Sequence, residues 1–186
     1  MKKRKVVIIT DGDQVAKTAV EQVAMSVGGR CISSSAGNPT PLSGEELVEL
    51  IMKTPYDPIL VMIDDRGKTG QGKGEQVLEH LISNPDIDIL GVVAVASNTS
   101  HTEEINVDSS VDRYGNVISQ GVDKNGFPTG AGLSGDTVEI LKKVAVPVII
   151  GTGDTGKMDG CDSVNKGTPV TLKAIKEILS RSGFSV

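Results

Sequence analysis

Short apolar runs rich in β-branched residues alternate along this chain with segments whose apolar residues repeat at the helical period. The runs predict strands, at residues 5–10, 30–34, 58–63, 89–97 and 146–150. Strands that are apolar on both sides are typical of a parallel sheet covered on both faces, and the segments between them supply crossover helices. The sequence therefore predicts an α/β fold with one doubly wound, mostly parallel sheet. Its 186 residues suit a single domain over residues 1–186.

Five intervening segments predict helices, located at residues 14–27, after Ser43, at 75–83, at 136–143 and after Thr168. Ser43 is the expected N-cap of the second helix, because Glu46 three residues later completes a capping box. Thr168 is the expected N-cap of the last helix, with Pro169 as its first residue. The inward stripe of the first helix is expected to consist of Val15, Ala19, Val23 and Val27.

Residues 104–122 break this alternation. Apolar and polar residues alternate there on either side of Tyr114-Gly115-Asn116, and a period of two around a glycine-bearing turn is typical of a β-hairpin. We expect an antiparallel hairpin inserted at residues 104–122, which continues the sheet at one edge.

The segment GTGDTGK, residues 151–157, has the G-x-x-x-x-G-K spacing of a phosphate-binding loop. Such a loop needs a Ser or Thr directly after the lysine to hold magnesium, and a helix that starts there and points at the phosphates. Here Met158 follows the lysine, and no helix is predicted before Pro169. Asp154 and Asp159 would also bring negative charge towards a polyanion. The pattern does not indicate a triphosphate site.

A second glycine-rich loop, residues 66–75, is better placed, because it joins a predicted strand to a predicted helix. Gly70 and Gly72 would allow the backbone to approach a ligand closely, as would Gly153 after the last predicted strand. The order of the glycines differs from that of a dinucleotide-binding loop. A ligand-binding loop and a mobile surface loop both remain open.

Acidic residues follow three of the predicted strands, namely Asp11 and Asp13, Asp64 and Asp65, and Asp154. Because the carboxyl ends of parallel strands meet at one edge of a sheet, where ligands bind, we expect these side chains around a common crevice. Capping is the competing interpretation, since an aspartate between a strand and a helix is a common N-cap, as Asp13 or Asp65 would be.

Carboxylates held close together repel each other and need a compensating cation. Mg²⁺ or Ca²⁺ would suit such oxygen ligands, and Asp11 and Asp64 are then the expected metal ligands. The alternative is a nearby basic side chain, for which the local candidates are Arg66, Lys68, Lys73 and Lys157.

Composition and charge argue against nucleic acid as a partner. The net charge is −5, and the chain has two Phe, two Tyr and no Trp. It therefore lacks a broad basic face for duplexes and aromatic platforms for stacking single-stranded bases. Cys31 and Cys161 lack the spacing of a zinc site or a disulfide scaffold and are expected to be idle thiols.

The sequence predicts neither a signal peptide nor a transmembrane segment, because no apolar stretch is long enough for either. Residues 2–5 are all basic. They are expected either to be solvated at a frayed terminus or to contact anionic lipid headgroups.

Distinctive blocks occur along nearly the whole chain: TDGD, GGRCIS, SAGNP, VMIDD, GVVAVAS, GVDK, GDTV and VPVIIGTGDTGKM. In these blocks the chain resembles the stage V sporulation protein AE family of endospore-forming bacteria. The resemblance implies a soluble subunit of a complex that moves dipicolinic acid, as its calcium chelate, into the developing spore and out on germination. It also implies a peripheral place on the spore inner membrane, beside integral-membrane and soluble partners. It assigns no catalytic activity and no functional residue.

A more distant likeness is to the TOPRIM domain of topoisomerases and primases, where acids after two strands hold Mg²⁺ for phosphoryl transfer. The TDGD and IDD segments occupy similar places. The chain departs from that pattern twice, because Asp11 or Asp13 stands where a glutamate is expected, and Asp64 and Asp65 are adjacent. Adjacent side chains at a strand end face opposite ways. The likeness implies a shared Rossmann-like or TOPRIM-like architecture, which does not determine function.

Three hypotheses about function follow. The leading one is a non-enzymatic accessory subunit of the dipicolinic acid complex. The second is a Mg²⁺-dependent phosphotransfer or nuclease enzyme that uses Asp11, Asp13, Asp64 and Asp65. The third is a sensor that binds calcium dipicolinate in the crevice, where backbone N–H groups of the two glycine-rich loops would hold its carboxylates.

Overall fold

One seven-stranded sheet lies at the centre of the protein. In a computed structural model, which describes residues 2–65, 72–98, 103–135 and 138–185, its strands are β1 (Arg4–Ile9), β2 (Arg30–Cys31), β3 (Ile59–Met62), β4 (Ile87–Val95), β5 (Ser109–Val111), β6 (Val117–Ile118) and β7 (Ile149–Thr152). The strand order is β2-β3-β1-β4-β7-β5-β6. Every neighbouring pair is parallel except β5 and β6, which confirms the predicted α/β fold with a mostly parallel sheet.

Four α-helices in the described ranges pack on the sheet, namely α1 (Gln14–Ser26), α2 (Gly44–Lys53), α3 (Lys73–Ser83) and α4 (Pro169–Arg181). Helices α1 and α4 pack on one face, over an apolar cluster that includes Val7 and Ile9. Helices α2 and α3 pack on the other face, over a cluster that includes Val6 and Ile8. Successive residues of β1 thus supply opposite faces, and both faces are buried, so the strand is apolar throughout.

The capping box predicted for α2 is confirmed. The Ser43 hydroxyl accepts a hydrogen bond from the Glu46 N–H at 3.2 Å, and the Glu46 carboxylate accepts one from the Ser43 N–H at 2.7 Å. The inward stripe predicted for α1 is wrong at Val15, which is 43 % exposed. Ala16 and Val20 are buried instead, because the face that meets the sheet is centred one residue further along the helix.

The helix predicted at residues 136–143 is wrong in its described part. Residues Glu139–Lys142 form a short 3₁₀ helix, while residues 136–137 lie outside the described ranges. The segment is too short for helix propagation to offset the cost of nucleation. Pro147 also favours extended backbone in the residue before it, just ahead of β7.

The hairpin exists but is shorter than the predicted span of 104–122. Strands β5 and β6 pair antiparallel across a turn in which the Gly115 N–H donates to the Asp112 carbonyl at 2.9 Å. Strand β5 also pairs with β7, so the hairpin does extend one edge of the sheet. After β6 the Asp123 carboxylate accepts a hydrogen bond from the Phe127 N–H, and this second turn diverts the chain from the ladder.

Candidate functional site

A crevice opens at the carboxyl edge of the parallel strands. The chain leaves β1 towards β2 and β3 on one side, whereas β4 and β7 lie on the other, so the crevice lies at the point where the strand order reverses. Its volume is about 170 Å³, and residues at or just after the carboxyl ends of five strands, β1, β2, β3, β4 and β7, contribute to its wall. The lining residues are Thr10, Asp11, Asp13, Asn38, Asp64, Val95, Ala96, Ser97, Lys124, Asp154 and Lys157.

Asp11 follows β1 and lines the crevice, and the residue is only 8 % exposed. Its Oδ1 accepts a hydrogen bond of 3.3 Å from the Asp13 N–H. Its Oδ2 is buried and has no hydrogen-bond partner in the described part of the chain. Burial, together with the charges of Asp13 and Asp154, raises the pKa of Asp11 to about 7, against the opposing charge of Lys157.

Asp13 has two roles that the sequence analysis treated as alternatives. Its Oδ1 caps α1, because it accepts hydrogen bonds of 2.9 Å from the N–H groups of Val15 and Ala16. Its Oδ2 accepts a hydrogen bond from Lys157. Burial acts to raise the pKa of Asp13, but the hydrogen bonds from Lys157 and from the helix N-terminus lower it below its usual range.

Lys157 is the basic side chain that compensates these acids. Its Nζ donates to Asp13 and, at 2.8 Å, to Oδ1 of Asp154. Burial opposes the charge of Lys157, yet these hydrogen bonds and the charge of Asp11 raise its pKa above the ordinary lysine value. Lys73, another predicted candidate, donates to the Pro41 carbonyl instead.

The GTGDTGK segment does not form a phosphate-binding loop. The Lys157 N–H donates to the Asp154 carbonyl at 3.1 Å, and the chain then turns through Met158, whose φ is 49°. No helix begins there, since the next α-helix, α4, starts at Pro169. The lysine therefore faces aspartates of its own chain, which was one of the two ways in which the acids were expected to be compensated.

Asp154 completes a group of three carboxylates. Oxygen atoms of Asp11, Asp13 and Asp154 all lie within 4.8 Å of one another. The second Asp154 oxygen lies 3.7 Å from Nζ of Lys124. The Asp154 N–H donates to the Lys124 carbonyl at 2.8 Å, and this hydrogen bond fixes the loop after β6 beside the crevice. Lys124 was missed by the sequence analysis, because it lies after β6, beyond the predicted hairpin, and the GVDK block that contains it indicated no binding role.

Asp64 and Asp65 point to different surroundings, as expected for adjacent residues at a strand end. Asp64 lines the crevice, and its backbone is held by Thr40, whose hydroxyl accepts from the Asp64 N–H at 2.8 Å. The Asp65 carboxylate accepts hydrogen bonds from the N–H groups of Gly74 and Glu75, at 2.6 and 3.2 Å, at the start of α3. Asp65 therefore stabilises a helix N-terminus, which was the competing interpretation.

The three glycines predicted to approach a ligand differ in their surroundings. Gly70, like the candidate cations Arg66 and Lys68, lies outside the described residues. A Cβ at Gly72 would lie 2.1 Å from Oδ1 of Asp65, and a Cβ at Gly153 would lie 2.6 Å from the Lys124 carbonyl. At these two positions glycine allows close packing within the protein itself.

The fold and the crevice define this chain as an α/β protein whose parallel sheet presents a cluster of carboxylates and lysines at its carboxyl edge. The family model described as stage V sporulation protein AE1 matches residues 5–182. The chain belongs to that family and is a sporulation protein. Neither the search of curated proteins nor that of solved structures finds a match. Among the described residues, no helix has the length and apolar character needed to cross a membrane.

Proposed function

We propose that the chain is an accessory subunit of the complex that moves dipicolinic acid, as its calcium chelate, into the developing spore and out on germination. The observation that carries this proposal is the family match over residues 5–182. The role requires no catalysis by the chain itself. It requires contact with the integral-membrane and soluble subunits of the complex.

The positions of the basic residues near the amino terminus support a peripheral place at the inner membrane. Arg4 is held within the fold, because it pairs with Asp57 and donates hydrogen bonds to the carbonyls of Ile51 and Tyr56. Lys5 pairs with Asp88. Lys2 and Lys3 are exposed at the amino edge of the sheet, opposite the crevice. Contact with lipid headgroups through these two lysines would leave the crevice open to a solute or a partner.

A sensor that binds calcium dipicolinate in the crevice is the second candidate. The observation that favours it is the lining, which combines four carboxylates with Lys124 and Lys157 and so offers partners to both the cation and the carboxylates of the chelate. A Mg²⁺-dependent phosphotransfer enzyme receives less support, since Asp65 of its expected acidic pair is committed to the start of α3.

Spores that lack the chain test the accessory role. We expect deletion of its gene in an endospore-forming host to reduce the dipicolinic acid content of purified spores, or its release on germination, and the wild-type gene to restore both. Normal content and release in the deletion strain would refute the proposal. A tagged chain should also recover membrane subunits of the complex from detergent-solubilised spore membranes, and a Lys2→Gln, Lys3→Gln variant would show whether the basic pair contributes.

Complementation with Asp11→Asn separates the two candidates. Full restoration of dipicolinic acid content and release by this variant favours a role through partner surfaces. Loss of release with normal recovery of membrane subunits favours a sensor that uses the crevice.

A further inference from the structure

Asp11 has an unsatisfied oxygen inside the crevice. The residue is 8 % exposed, and its Oδ2 is buried without a hydrogen-bond partner among the described residues. An unpartnered buried carboxylate oxygen is costly unless a positive or hydrogen-bonding group reaches it. Lys157, the basic side chain that contacts the other two acids, directs its hydrogen bonds to Asp13 and Asp154.

The spacing of the carboxylates suits one cation. Oxygen atoms of Asp11, Asp13 and Asp154 lie within 4.8 Å of one another. Calcium binds oxygen at about 2.3–2.6 Å, so two oxygens on opposite sides of one calcium ion are about 5 Å apart. All three carboxylates can therefore reach a common ion, and the cavity of about 170 Å³ leaves room for water to complete its coordination.

We propose that the crevice is a divalent-cation site with Asp11, Asp13 and Asp154 as ligands, in which Lys157 is an internal counter-ion that the arriving cation displaces. The ammonium group lies between Asp13 and Asp154. A divalent ion at the same place brings twice the charge and also reaches Asp11. The sequence analysis predicted Asp11 and Asp64 as metal ligands. The proposed site keeps Asp11 and replaces Asp64, because the carboxylate oxygens that lie close together belong to Asp11, Asp13 and Asp154. It does not depend on the transport role.

Lys157 makes the proposal specific. Substitution of Lys157 should strengthen the binding of the divalent cation, whereas substitution of a carboxylate ligand should weaken it. Removal of a ligand weakens cation binding. Replacement of Lys157 by a neutral side chain of similar length removes the competitor and leaves all three carboxylates in place. A purely structural ion pair would give no cation binding in either case.

Calorimetric titration of the full chain tests the site, with CaCl₂ and MgCl₂ used separately. We expect wild type to bind at least one of them with a Kd of about 1 mM or tighter, and Asp11→Asn to weaken binding at least about tenfold. Lys157→Gln should bind at least about threefold more tightly than wild type, since it removes one competing charge. Asp86→Asn, an exposed residue before β4 at the opposite edge, removes the same charge and should bind as wild type does.

Thermal unfolding with and without the bound metal gives a second measurement for variants that fold poorly. The metal should raise the Tm of wild type and Lys157→Gln, and should raise that of Asp11→Asn much less. Absence of binding to wild type with both salts overturns the proposal. Equal affinity of wild type and Asp11→Asn, or weaker binding by a folded Lys157→Gln, also overturns it. These outcomes are independent of spore dipicolinic acid content, so this proposal and the accessory role fail separately.

Discussion

The ammonium group of Lys157 donates a hydrogen bond to the carboxylate of Asp13, although 144 positions of the chain separate the two residues. Asp13 caps α1 and Lys157 lies in the loop after β7. The contact therefore joins the start of the first helix that crosses over the sheet to the loop that follows β7. The same lysine holds Asp154, so one cation neutralises two strand ends.

Replacement of Lys157 by Met should destabilise the protein in the absence of divalent cations. Asp13 and Asp154 would lose a charged hydrogen-bond donor, and because the group is partly solvated, we expect a loss of about 1–2 kcal/mol in the free energy of unfolding. Urea unfolding followed by circular dichroism, with a chelator present, measures this loss. Lys173→Met is the matched control, since it removes a surface pair with Glu177 and should cost about 0.5 kcal/mol or less. Equal losses for the two variants would contradict a special role for Lys157.

The raised pKa of Asp11 should make stability fall as pH rises from about 4 to 7. The folded protein holds the Asp11 proton up to a pKa of about 7, whereas the ordinary value is 3.8. Between these values the folded state binds more protons than the unfolded state, so ionisation opposes folding. Asp11→Asn lacks this penalty and should exceed wild type by roughly 2–4 kcal/mol at pH 8, with a gap that closes towards pH 4.

Unfolding of both proteins by urea at several pH values, with a chelator present, gives this difference directly. Glu75 also has a raised pKa, caused by burial and by the nearby charge of Asp65, and its effect cancels in the comparison. Asp13 has a lowered pKa, so its contribution is lost only in more acidic solution. A constant gap between pH 4 and 8 would show that Asp11 ionises normally.

Asp162 should be a larger determinant of stability than any exposed helix cap. It is completely buried, and its Oδ1 accepts hydrogen bonds from the N–H groups of Val170 and Thr171, at 2.8 and 3.0 Å, at the start of α4. Its Oδ2 accepts from the Gly156 N–H at 2.9 Å, next to Lys157. Asp162→Ala would leave several buried donors unsatisfied and should cost about 3 kcal/mol or more.

Ser43→Ala provides the comparison for Asp162→Ala in the same urea-unfolding measurement. Ser43 caps α2 at a partly exposed position, so its loss should cost about 1 kcal/mol. A cost for Asp162→Ala no greater than that for Ser43→Ala would show that solvent replaces the buried hydrogen bonds.

The Asp162 cap also shows where the sequence analysis reached its limit. Thr168 was predicted to cap α4, since it directly precedes Pro169. Thr168 does occupy the N-cap position with Pro169 as the first helical residue, but its side chain makes no capping hydrogen bond, and its hydroxyl donates to Gln22 instead. The cap comes from a residue eight positions before Val170, carried there by a loop with several left-handed residues. Capping rules consider neighbouring residues and do not detect such an arrangement.

The sheet and much of its crevice were predictable for a physical reason. Strands buried on both faces leave an apolar run in the sequence, and parallel strands bring their following residues to one edge. Asp11, Asp13 and Asp154 were therefore expected together. Lys124 was not, because its place beside Asp154 depends on a backbone contact between the loop after β6 and the loop after β7. The division of Asp64 from Asp65 followed from strand geometry, but which of them would face the crevice did not.

Gly153 lies where the loop after β6 packs against the loop after β7, and its replacement should move the crevice wall. A Cβ there would lie 2.6 Å from the Lys124 carbonyl oxygen, 2.7 Å from the Gly126 nitrogen and 2.7 Å from the Met158 sulfur. Two of these atoms belong to the backbone and cannot yield by a side-chain rotation. We expect Gly153→Ala to cost about 2–3 kcal/mol in urea unfolding, because one of the two loops must shift.

Gly160→Ala separates this crowding from ordinary glycine strain. Gly160 has a φ of 79°, and a Cβ there meets nothing within 4 Å in the described structure. Its replacement should cost about 1 kcal/mol, from the left-handed backbone alone. If Gly153→Ala costs no more than Gly160→Ala, the two loops are not in close contact. Lys124 would then owe its place beside Asp154 to charge attraction, and the pair would separate at high salt.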